Sequence, residues 1–193
     1  MGIVHDYLNF IDEHVVRLIE EGGVSRSCFA SYLLISAAID ALGGLAHESP
    51  EASPRERFSA FIEKYMPDEY RERTEELWAL RNALAHQALN VAAVLTAAEA
   101  EGGFSHLEGV PISPFQGVLY VDTSRFLKDF KIAKDRMRAD LGARADLMAR
   151  AENRLVRMEL RLPEDLTQTI PPTFYDRGRT LKFVRLKCED HRE

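Results

Sequence analysis

Arg81, Asn82 and His86 stand in the middle of ELWALRNALAHQAL (residues 76–89), a segment that is otherwise greasy. Nine of the thirteen residues from Leu77 to Leu89 are apolar or alanine. The three polar side chains could do phosphate chemistry together. A guanidinium offers planar, bidentate donors to an oxyanion. An imidazole titrates near neutrality and can take or give a proton. A carboxamide can orient either one. On a helical wheel with Leu77 at zero, Leu84 and Ala88 fall within about 20° and Leu80 within about 60°, which makes a core stripe. Arg81 lies on its edge at about 40°, and Asn82 and His86 lie near 140° and 180°, one turn apart. Trp78, Ala85 and Leu89 fill the space between, and Ala79 and Ala83 much of the rest. No face is plainly solvated, so both sides of the helix are expected to be covered.

A buried Arg or His is costly unless it is paired. Two arrangements satisfy that demand. In one, Arg81 bonds to a carboxylate and His86 to a backbone carbonyl. In the other, a second copy of the same helix covers the first, and a two-fold axis brings two Arg and two His into one cleft. Asp40 is the one charged residue in the apolar stretch 29–46. It is expected to pair with Arg81, to orient His86, or to hydrogen-bond to neighbouring backbone.

The elements that must position these residues read as mainly helical. Apolar residues in 3–20 recur at helical spacing and stop at Gly22-Gly23. A second helix runs from about Ser25 to Leu45; it is apolar on nearly every face, so it should be central and buried, ending at Gly43-Gly44. Ser53 and Pro54 read as N-cap and first residue of a third helix with Phe58, Phe61, Ile62 and Tyr65 inward. Pro67 restarts a fourth, which holds the polar triplet and lasts to about Leu89. The pattern then changes. NVAAVLTAAE, GGFSHLEG and GVLYVD are short pieces that predict a small antiparallel hairpin or meander, with helix as the competitor in the alanine-rich first piece. Asp122 or Thr123 caps a long helix over 123–162, whose apolar residues from Phe126 to Leu162 advance 3.6 per step. Unbroken it would span roughly 60 Å, so its far half should pack on a partner or fold back, with Gly142 the place for a bend. Residues 163–193 read as a tail with one strand.

At 193 residues the chain suits a single domain: a helical core over 1–90, a β-like insertion over 91–122, the long helix, and the tail. The net charge of −6 is uneven. Residues 1–110 hold 8 basic and 18 acidic side chains, and residues 111–193 hold 17 and 13. That balance argues against general nucleic-acid binding and leaves room for a local phosphate-binding surface toward the C-terminal end. The most basic short stretch, RGRTLKFVRLK, carries Arg177, Arg179, Lys182, Arg185 and Lys187. It reads either as a track for an RNA backbone or as the solvated side of an edge strand. No run approaches the eighteen or so apolar residues of a membrane helix, and the N-terminus lacks the pattern of a signal peptide. Cys28 and Cys188 form no metal or redox spacing, which suits reduced thiols in a cytoplasmic protein. The other histidines (His5, His14, His47, His106, His191) show no ligand spacing, so neither a metal nor a cofactor is expected.

RNALAH resembles the Arg-x4-His motif of the HEPN superfamily, in the form with a polar residue directly after Arg. IDALGGL followed by FSAFIEKYMPDEYRERTEELWALRNALAHQ looks like the helical core of uncharacterised bacterial members. The resemblance covers roughly residues 3–90 and the start of the long helix; the insertion, the helix beyond about 145 and the tail lie outside it. It implies an up-down helical bundle that dimerises through the motif helix. It also implies a metal-independent endoribonuclease of the toxin or defence type, with RNA as substrate and an antitoxin protein as a partner. Carried onto this chain, His86 would be the general acid or base, Arg81 would stabilise the charged phosphorane, and Asn82 would orient His86 or the phosphate, leaving a 2′,3′-cyclic phosphate. The alternative is a non-catalytic module of the same fold in which these residues hold a nucleotide or RNA or make a polar dimer contact.

Overall fold

The computed structural model describes residues 2–21, 27–86, 93–96, 105–113 and 116–159. It is mainly helical, as expected. The chain opens with α1 (Ile3–Ile11), a π turn (Asp12–Val16) and α2 (Arg17–Glu21), which continue one another. Asp12 on the π turn meets Lys134 and Arg138 from across the core; the Lys134 side chain is 4% exposed, so its charge depends on that pairing. The central helix, α3 (Cys28–Ala46), begins at Ser27, whose hydroxyl accepts the Ala30 N–H at 3.2 Å. α4 (Pro54–Tyr65) starts on a capping box in which Ser53 and Glu56 accept each other's backbone N–H. A one-turn α5 (Asp68–Arg71) and α6 (Thr74–His86) follow.

The core lies around α3. Its Tyr32, Ile35, Ile39 and Leu42 are fully buried, packed by α4 on one side and by later helices on the other. α3 is long and apolar enough to cross a membrane, as a buried core helix can be, contrary to the expectation that no stretch comes close. Gly43 and Gly44 do not end it. They lie inside it, and a Cβ at Gly43 would stand 1.9 Å from the carbonyl oxygen of Arg57. Glycine here lets α3 and α4 approach backbone to backbone, a signal easily mistaken for a stop.

One further expectation is corrected, and one of two alternatives is selected. The expected fourth helix is two, because the chain turns at Glu72–Arg73 before α6. The long helix breaks and folds back, as one of the two sequence readings has it: α7 (Thr123–Ala143), capped by the Asp122 carboxylate, is followed by α8 (Ala145–Glu159). Arg144 is extended (φ −123°, ψ 101°), and α8 folds back on α1, α3 and α7. The break falls two residues past Gly142. Beyond it the buried stripe is Leu147, Ala151 and Leu155, while Ala145 is exposed. Each helix keeps a helical period, so the summed spacing conceals the break.

The β element is a three-stranded sheet in the order β1-β3-β2, made of β1 (Ala93–Thr96), β2 (Gly109–Ser113) and β3 (Gln116–Asp122). It is mixed rather than antiparallel. β2 and β3 form an antiparallel hairpin, with a register irregularity between Pro111 and Ser113, but β2 starts only at Gly109, where the expected GGFSHLEG piece ends, and β1 runs parallel to β3, Ala93 opposite Leu119. Alternating hydrophobicity marks a strand and is silent on the direction of its neighbour. The SHLE piece (105–108) is a turn, with Leu107 at φ 62° and its side chain buried. Residues 87–92 and the whole tail 163–193, including Arg177, Arg179, Lys182, Arg185, Lys187 and Cys188, lie outside the described residues.

Candidate functional site

α6 is held from beneath by Leu77, Leu80 and Leu84, which are buried against α3 and α4. Tyr32 of α3 adds a buried hydrogen bond to the Leu77 carbonyl at 2.8 Å, and Phe58 of α4 meets Trp78 ring to ring at 5.5 Å. These contacts fix the rotation of α6, and the rotation places the polar triplet.

Arg81 is half-buried and restrained on three sides. Its Nη1 donates to Asn82 Oδ1 at 3.0 Å, its guanidinium lies 5.0 Å above the Trp78 ring, and its Nη2 is 3.9 Å from Asp40 Oδ2. A cation over an indole face gains from the ring quadrupole. Asp40 bonds more closely elsewhere: its Oδ1 accepts from Arg57 Nε at 2.8 Å. The structure therefore brings Asp40 and Arg81 together, as one of the sequence readings has it, with Arg57 as the nearer partner. Among the described residues no bond joins Asp40 to His86. His86 occupies the last described turn of α6 and is exposed, as are Ala79 and Ala85. Among the described residues that face of α6 is open.

Two clusters escape a reading of the sequence. Arg57 of α4 and Arg154 of α8 join Arg81 around Asp40 and Gly44. Four segments far apart in the chain meet there, and only the mid-helix glycine pair hints at it.

The second cluster ties the sheet to the helices. His106 Nδ1 accepts the Asp122 backbone N–H at 3.0 Å, so the ring proton sits on Nε2, which donates to Tyr70 Oη at 2.8 Å. Tyr70 donates onward to Asp129 Oδ2 at 2.8 Å. Burial, with help from Arg125, pushes His106 down to about 4. Burial, then Asp129, pushes the Tyr70 phenol far above its ordinary value. The chain of donors locks one tautomer and keeps the imidazole neutral, a fastening rather than a proton shuttle at neutral pH.

Among the described residues, no three His, Cys, Asp or Glu side chains gather as metal ligands. No protein-family model, curated protein or solved structure matches the chain.

Proposed function

We propose that this chain is a HEPN-like, metal-independent endoribonuclease that works as a homodimer through α6. The observation that supports it is the contrast within one helix: Arg81 is held in place by Asn82, Trp78 and Asp40, while His86, on the next turn, is exposed. A preoriented cation and an accessible imidazole on one helix supply the two groups that in-line attack of an RNA 2′-hydroxyl on the adjacent phosphate needs. His86 takes the hydroxyl proton, or returns one to the leaving 5′-oxygen from the second copy, and Arg81 balances the charge that accumulates on the phosphorane. The bond formed is 2′-O–P and the bond broken is P–O5′, giving a 2′,3′-cyclic phosphate and a 5′-hydroxyl. Ala79, Ala85 and His86 offer the second copy a small, open face. A toxin or defence role in the cytoplasm, held in check by an antitoxin protein, accords with this reading.

The test is incubation of the purified chain with mixed RNA in EDTA, alongside His86→Ala and Arg81→Ala. Cleavage that both variants abolish is the expected result. Cleavage that survives in both removes the assignment. One observation favours a second reading, a non-catalytic nucleotide- or RNA-binding module: Asp40 offsets part of the Arg81 charge before any substrate arrives. No cleavage of any RNA, with binding that depends on Arg81, would select it.

A further inference from the structure

Two guanidinium groups, from α4 and α6, converge on one carboxylate. Arg57 Nε is 2.8 Å from Asp40 Oδ1, and Arg81 Nη2 is 3.9 Å from Asp40 Oδ2. Arg154 stands beside Arg57. A Cβ at Gly44 would be 3.6 Å from the Nε atoms of both and 3.1 Å from Arg57 Cδ, so the absence of a side chain there lets both arginines lie close against α3. The Asp40 side chain is 14% exposed and that of Arg57 25%, so water screens the cluster only in part. Three positive charges thus face one enclosed negative charge.

Ordinary structural pairing accounts for only part of this. Among the described residues the ion pairs of Arg57 and Arg81 both end on Asp40. Arg154 donates from Nη1 to the Ser49 carbonyl at 3.2 Å and, among the described residues, has no carboxylate at ion-pair distance. Its guanidinium is held below the ordinary arginine range by burial and then by Arg57, with Asp40 and the exposed Glu51 acting in the opposite sense. Like charges left short of a counter-ion in a partly desolvated place favour an incoming anion.

We propose that Arg57 and Arg154, with Gly44 between them and Arg81 at the Asp40 end, form a binding site for a phosphate group. Arg57 Nη1 donates to the Ala52 carbonyl at 3.4 Å, and among the described residues Arg154 keeps Nε and Nη2, and Arg57 keeps Nη2, outside these bonds. Guanidinium edges of this kind match the oxygens of a tetrahedral anion. A free phosphate, the 5′-phosphate of a mononucleotide and an RNA backbone phosphate all present this chemistry. The site goes beyond the RNA-cleavage reading: Arg57, Gly44 and Arg154 are outside the motif, and the site holds whether or not His86 is catalytic.

The test is thermal unfolding of the full chain at fixed ionic strength, in sodium phosphate against sodium chloride. At about 10 mM phosphate and a millimolar affinity, Tm rises by about 4 °C. Arg154→Gln abolishes the rise. Gly44→Ala keeps every charge and favours helix but crowds the Arg57 stem at 3.1 Å and displaces its guanidinium, so it diminishes the rise without unfolding the chain. His86→Ala leaves it intact, which separates this site from the proposed cleavage. Equal Tm in phosphate and chloride, or a full response in Arg154→Gln, overturns the proposal. Titrations with 5′-AMP and with a short single-stranded RNA then assign the source. Both outcomes support the site. Binding of 5′-AMP that RNA does not displace marks a small-molecule site, and RNA affinity that falls about tenfold in Arg154→Gln marks a backbone contact.

Discussion

Asp40 accepts its 2.8 Å hydrogen bond from Arg57, not from Arg81, although Arg81 lies in the motif that draws attention to this region. The carboxylate belongs first to the α3–α4 contact and only second to α6. An uncharged amide in its place would leave three guanidiniums facing one another in a half-buried setting. Asp40→Asn is expected to lower the unfolding free energy by about 2 kcal/mol, between the values for exposed and fully buried pairs. Urea denaturation measures it; a loss under about 0.5 kcal/mol, the range of an exposed pair, would mean the arginines are well solvated.

Gly43→Ala sets backbone packing against helix propensity. Alanine in a helix interior is ordinarily the better residue by about 1 kcal/mol. At this position the new Cβ meets the Arg57 carbonyl oxygen at 1.9 Å, a backbone atom that cannot swing aside. Separating α3 from α4 is expected to cost about 2–3 kcal/mol net, read as a lower urea midpoint at unchanged slope. A variant as stable as the parent would refute the close approach.

The His106 fastening gives stability a pH dependence whose sign follows from its depressed pKa. Unfolded, the imidazole titrates at about 6.5; folded, it is held at about 4. Its contribution is complete above about 6.5 and is lost as pH falls through that window to the folded value. His106→Asn keeps an acceptor for the Asp122 N–H but does not titrate, so its stability should fall less than that of the parent between pH values of about 6.5 and about 4. Proton NMR checks the cause directly. A His106 ring resonance that titrates at its ordinary unfolded value in the folded chain would contradict it.

The proposed dimer makes a prediction on the open face of α6. Ala79 is exposed there, on the His86 side of the helix. Ala79→Arg would place a bulky cation where the copies meet. Sedimentation should show a dimer for the parent and a monomer for the variant, with helix content by circular dichroism unchanged. An unaltered dimer would move the interface elsewhere.

The order of residues alone was enough to specify the helical class, the buried central helix, the Ser53 cap, a cap at Asp122 or Thr123, and the placing of Arg81, Asn82 and His86 on one rod. These are local matters: a cap needs a residue within three positions, and a period of 3.6 is visible in any window. Where the last long helix breaks was settled by packing, because α7 and α8 each keep the same period and only the fold-back on α1 and α3 separates them. The parallel pairing of β1 was settled the same way, because a strand's alternation is the same beside either kind of neighbour. Folding also revealed that Asp40 belongs to Arg57, that Arg154 joins them, and that His106 reaches Asp129 through Tyr70. Those contacts link positions 17 to more than 100 residues apart, and charges that distant in the chain become neighbours only when the helices pack.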